Sequence, residues 1–237
     1  MLSAFAPVHD NKQLRAEHAL LPLWRPGESQ IVFMTGLRAL ALGTLAVSLA
    51  VDWGIHDAQH GPASWLIYGT SAAQLNMVPY YVLALRLSMS KTLHFSDMSL
   101  TAQPLTGLGA AVWCAYASGT VCLCAAFMVY EMSMKAPGRR DSEEPVLGLN
   151  FGFCLANALL GNTPLLPRQV VAPLVSVALY FIGLAVYEIA AGLQIYPVPL
   201  GVFALETLFS VAFCFAVLWG ALELRERCAP SHVWMAV

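Results

Sequence analysis

Arg38, Glu188 and Glu206 are ionisable residues placed inside long apolar stretches, where a charge is costly and tends to mark function. Arg38 lies about eight residues into its stretch, a depth of roughly 12 Å at 1.5 Å per residue. From there it can snorkel to its own side, bind a lipid phosphate, or take a buried counter-ion. Glu188 closes one stretch and Glu206 opens the next, with the short link Gln194–Pro199 between them. A hairpin of that form brings both carboxylates to the same half of a membrane. They could share a proton, since two like charges in a dry site raise one pKa, or hold a cation with His56 or His60. The plainer reading is one neutral glutamic acid bonding across helices and the other near the interface. Asn150 and Asn157 fit the same structural role.

The other residues with chemical potential point away from metals and haem. His56 and His60 have i,i+4 spacing, but Gly54, Gly61 and Pro62 argue against a regular helix there, and no metal site is expected. None of the histidines (His9, His18, His56, His60, His94, His232) falls inside an apolar stretch, so the paired axial ligands of a haem-b carrier are missing. No cofactor is called for. Of the six cysteines, Cys114, Cys122, Cys124, Cys154 and Cys214 lie within apolar segments and Cys228 beyond them. Small soft thiols in such places usually pack as core, and Cys122 and Cys124, two apart on a helix, face different ways.

The elements that must position these residues are apolar helices. Hydrophobic residues make up 58% of the 237-residue chain and charged residues 11%, against roughly 25% charged in an ordinary soluble domain. About 20 mostly apolar residues cross a bilayer core, and Ile31–Val51, Trp65–Leu85, Leu105–Tyr130, Val170–Leu193 and Leu200–Leu222 qualify. Val146–Leu160 is shorter, and suits a helix packed inside the bundle or one that bends before it finishes crossing. Amides left unpaired in hydrocarbon exclude loops, and continuous runs exclude a barrel. The expected fold is all-α, a polytopic transmembrane bundle of about six membrane helices over residues 30–226. Residues 1–29 form a soluble or interfacial extension without a signal-peptide pattern, and 227–237 form a tail. Pro79 predicts a kink in the second helix. Ala115 and Gly119, four apart, predict a close helix approach.

Six crossings put Lys12, Arg15, Arg25, Arg86, Lys91, Arg168, Arg225 and Arg227 on one side and Lys135, Arg139 and Arg140 on the other. That bias places both termini on the cytosolic or matrix side. A net charge of −2 gives no basic surface for nucleic acid. No matched pair of broken helices marks a transporter midplane, although Glu188, Glu206 and Arg38 leave a small ion pathway as one alternative.

Three short runs carry a family resemblance: Ser64-Trp65-Leu66-Ile67-Tyr68-Gly69-Thr70, Leu149-Asn150-Phe151-Gly152, and Gly192-Leu193-Gln194-Ile195-Tyr196-Pro197. Their order over Gly36–Glu226 resembles the androgen-induced and FAR-seventeen-a-like integral membrane proteins. The resemblance implies a multi-spanning threonine hydrolase of fatty acid esters, with a threonine at the start of the second segment and a histidine after the third. Gly69 occupies the threonine's place and Thr70 is one residue on, rotated by about 100°. The histidine-bearing places read Phe151 and Cys154. A threonine needs a base to take its proton, so Thr70 and Cys154 remain the catalytic candidates of an alternative reading only.

The expected function is that of a non-catalytic, supernumerary subunit of a larger membrane complex, built on a degenerate hydrolase fold. Its expected partners are membrane lipids and other membrane subunits. A respiratory or ATP-synthase complex of the mitochondrial inner membrane is the first choice of host, with the endoplasmic reticulum as the alternative location. A structural phospholipid or cardiolipin is a compatible companion.

Overall fold

Backbone amides in hydrocarbon are satisfied within their own segment only by a helix, and the apolar runs are helical. The computed structural model of the chain describes residues 28–60, 68–92, 107–131, 144–161, 163, 165–192, 194–196 and 198–228. The helices are α1 (Glu28–His60), α2 (Gly69–Thr92), α3 (Gly107–Val129), α4 (Glu144–Leu160), α5 (Val171–Ala191) and α6 (Leu200–Cys228), with one 3-10 turn, Pro167–Val170, leading into α5. The expected extension at 1–27 and the final residues of the tail lie outside the described residues.

The protein is an all-helical, polytopic membrane protein. Among the described residues four regions are long and apolar enough to cross a membrane: Val32–Gly54, Ala111–Val129, Pro167–Ala191 and Leu200–Arg225. That is fewer than the six expected, and the cause is visible in the other two helices. α4 is apolar only over Leu147–Leu160. α2 has the length, 24 residues, but carries Ser71, Gln74 and Ser88, all buried against neighbouring helices. Their polarity faces protein and still lowers the hydropathy of the helix.

Side-chain bonds fix the chain direction. Asp52 in late α1 accepts a hydrogen bond from Ser71 in early α2, at 2.9 Å, so these helices are antiparallel. Asn76 to Ser118 (2.8 Å) and the Tyr80–Tyr116 ring contact set α2 antiparallel to α3. Phe127 stacks on Phe151, 4.3 Å between centroids, while Cys154 reaches Thr120 O, which turns α4 back along α3. α3 is the central helix, packed by α2, α4, α5 and α6, while α1 covers α2 and α4. Exposed Val175, Leu179, Ile182, Val186 and Ile189 recur at three and four residues on the outer face of α5, as a lipid-facing stripe should.

Local chemistry explains the close packing and two of the ends. A Cβ on Gly119 would lie 2.7 Å from Met77 Sδ and 2.9 Å from its Cα, so only glycine lets α2 approach α3 this closely, as its spacing predicted. Gly192 takes φ +64° and returns its N–H to Glu188 O at 2.9 Å, the left-handed cap that glycine adopts at least cost. The end of α4 is capped from another helix: Arg225 Nη1 donates to the carbonyls of Ala158 (2.9 Å) and Gly161 (2.7 Å).

Several sequence readings need correction. α1 continues helically to His60, so the glycine at 54 does not stop it. Asp52, just past the expected end of the first stretch at Val51, lies inside the bundle as a buried acceptor for Ser71. α2 runs on past the expected end at Leu85, through Arg86 and Lys91 to Thr92. Arg225 does not simply hold the end of α6 in water, because the α4 carbonyls claim it.

Candidate functional site

Polar side chains collect in two places, one on either side of the plane shared by α2 and α3. The first is a closed core between α1, α2, α3 and α4. Arg38 is fully buried there. Its Nε donates to Asn157 Oδ1 at 3.1 Å, and its guanidinium carbon sits 6.0 Å from the Tyr80 ring centroid. Asn157 Nδ2 donates to the Tyr80 hydroxyl at 2.9 Å. Arg38 therefore neither snorkels nor meets a lipid phosphate; its charge is turned inward, where Asn157 and the tyrosine face solvate it. Close by, Asn150 Nδ2 donates to Gln74 Oε1 at 3.1 Å. Tyr81 Oη, Trp113 Nε1, Thr120 Oγ1 and Asn150 Oδ1 find no protein partner among the described residues. This half of the bundle thus holds more polarity than its own side chains satisfy.

The second is a cavity of about 650 Å³ between α2, α3, α5 and α6, within the usual range for small-molecule sites. Its walls are apolar, with Ala73, Ala126, Val177 and Val211 inside and the exposed Leu75 and Leu179 at its outer edge. Hydrogen-bonded polar groups interrupt them at two stations, and Tyr68, Cys122, Tyr130 and Thr207 also line the site. At the floor Asn76 donates to Ser118 Oγ at 2.8 Å, and Ser118 Oγ lies 2.6 Å from Ser176 Oγ. At the mouth the Gly69 N–H donates to Tyr196 Oη at 2.8 Å, and Tyr196 Oη lies 2.9 Å from Tyr180 Oη. The first turn of α2 would otherwise present this N–H to hydrocarbon, so the tyrosine acts as its cap. Thr70 lines the same mouth.

The predicted site residues are divided between these places. Thr70 borders the cavity, whereas Cys154 is buried in the closed core with its Sγ 3.9 Å from Thr120 O. The two candidate nucleophiles do not share a site. Glu188 Oε1 accepts the Ile195 N–H at 3.0 Å, a bond that holds the α5–α6 turn. Glu206 is half-buried on α6. Arg38 and Asn157 are brought together directly, and Asn150 joins their helix face through Gln74. Among the described residues no group of three or more His, Cys, Asp or Glu could hold a metal. Described Cys114, Cys122, Cys124, Cys154 and Cys214 are free thiols. His94, one candidate base, lies outside the described residues.

Tyr180, Ser118 and Ser176 were not singled out from sequence. A lone serine or tyrosine in an apolar helix is common, and only the rotation of three helices makes these converge. The tyrosines near segment ends (Tyr68, Tyr130, Tyr196) carried a weak signal, because such residues favour the membrane interface.

Fold and cavity define a polytopic helical membrane protein with a largely apolar site of small-molecule size between α2, α3, α5 and α6. No family model, no curated protein and no solved structure matches the chain, so fold and cavity carry the functional reading by themselves.

Proposed function

We propose that this chain is a non-catalytic membrane scaffold of six crossings that holds a lipid in its α2–α3–α5–α6 cavity and serves as a structural subunit of a larger membrane assembly. The observation that carries this reading is the composition of the cavity. Its walls are apolar with neutral hydroxyl and amide stations, and its described lining residues include no His, Asp, Glu, Lys or Arg. Such a site binds an amphiphile but offers no side-chain base to activate a hydroxyl. The antiparallel order of the helices supports the basic-side count, which places both termini on the cytosolic or matrix side. A mitochondrial inner-membrane complex remains the first choice of host, and the endoplasmic reticulum the alternative. Purification in mild detergent should yield co-purifying membrane subunits and bound lipid by native mass spectrometry. Recovery of a lone, lipid-free monomer would sink the reading.

One observation favours a second reading, a hydrolase of the kind the family resemblance implies: Thr70 lines a largely apolar cavity of small-molecule size. Turnover of a long-chain acyl ester by the purified protein, lost in Thr70→Ala, would establish it and overturn the non-catalytic one.

A further inference from the structure

We infer that the cavity takes an uncharged single-chain lipid with a hydroxylated head, of the monoacylglycerol class, from the leaflet on the tyrosine side. This rests on the lipid-holding reading above and names its ligand.

Depth comes first. The lining runs along α2 from Gly69 to Pro79, about 15 Å at 1.5 Å per residue, which is half of a hydrocarbon core of about 30 Å. The site therefore matches one leaflet. Its tyrosine station lies at the start of α2 and the α5–α6 turn, the end opposite the basic ends of α2 and α6.

Charge comes next. A phosphate or carboxylate in this site would lose its hydration and find no cation among the described lining residues, a cost that a neutral head escapes. The floor needs no ligand, because Asn76, Ser118 and Ser176 bond one another. The mouth differs. Thr70 Oγ1 has no partner among the described residues and stands one residue from the Gly69–Tyr196–Tyr180 chain. A head bearing hydroxyls can both donate and accept there, while its chain lies along the alanine, valine and leucine walls. A phospholipid would bring the unmatched anion.

The test uses the full chain in phosphatidylcholine nanodiscs with diazirine-tagged monoacylglycerol, and a lysophosphatidic acid and a fatty acid carrying the same tag. The neutral probe should label cavity residues at least about ten-fold more than either anion. Ala126→Phe, which puts a ring into the cavity, should abolish that labelling; if this variant does not fold, Thr207→Phe fills the site from α6. Thr70→Val should weaken labelling about five-fold, the worth of one hydrogen bond. Equal labelling by the anionic probes overturns the ligand class and leaves lipid binding standing. Cavity labelling that survives both filling variants, or no cavity labelling by any probe, overturns the lipid-holding reading and this inference with it.

Discussion

Between α1, α2, α3 and α4 the polar side chains are buried against one another, whereas between α2, α3, α5 and α6 they border a cavity. Arg38, Asn157 and Tyr80 form the first set; Thr70, Tyr180 and Tyr196 stand at the mouth of the second. In hydrocarbon, helices gain little from burying apolar surface, so polar bonds and close packing hold them together. The first set does that work. The second leaves a hydroxyl facing open space, where it adds little to packing and can meet a ligand. Substitutions in the first region should therefore change stability, and those in the second should change what is bound.

The largest effect is expected at Asn157. Asn157→Leu strips the acceptor from the Arg38 Nε–H and the partner from Tyr80, and a charged donor left unmet in a core costs about 3 kcal/mol. Thermal unfolding in detergent should show the loss; an unchanged midpoint would mean that Arg38 leans on other groups. Gly119→Ala comes next. Its methyl meets Met77 backbone and sulfur, and overpacking of this kind costs about 2 kcal/mol, read in the same assay. Arg225→Gln removes the cation that caps α4, for about 1.5 kcal/mol, with faster hydrogen exchange confined to 157–161. Gly192→Ala forces an alanine into the left-handed region, for about 1 kcal/mol. Thr70→Ala should lie within about 0.5 kcal/mol of the parent and still weaken lipid binding. A large stability loss there would erase the contrast between the halves.

Much of the helical frame was legible. α3, α5 and α6 begin within a few residues of the expected positions, because long apolar runs have only one way to satisfy their amides. The end of α5 was readable from Gly192, and the α2–α3 contact from Gly119. The ends of α1 and α2 were not. The expected stretches stop at Val51 and Leu85, just before Asp52 and Arg86, yet α1 and α2 pass through both, Asp52 finding Ser71 inside the bundle. Four of the expected segments are long and apolar enough to span among the described residues; in α2 the polarity of Ser71, Gln74 and Ser88 is directed at the bundle interior, a direction the sequence does not show. Of the site, Arg38, Asn150 and Asn157 were recognisable as residues that must find partners, but the partners were not. For Glu188 the sequence offered no sign that its carboxylate would accept the Ile195 N–H.

Residue order by itself determined that the chain is a set of membrane helices, where the tight α5–α6 turn falls, and which ends carry the basic residues. Those properties are local, fixed by amide satisfaction, glycine's freedom and charge. Tertiary structure alone decided that Arg38 turns to Asn157, that Arg225 caps a helix 64 residues away, and that serines and tyrosines from separate segments meet around one cavity. A helix apolar on every side has no sequence mark for its rotation, so which polar group faces which neighbour is settled only when the helices pack.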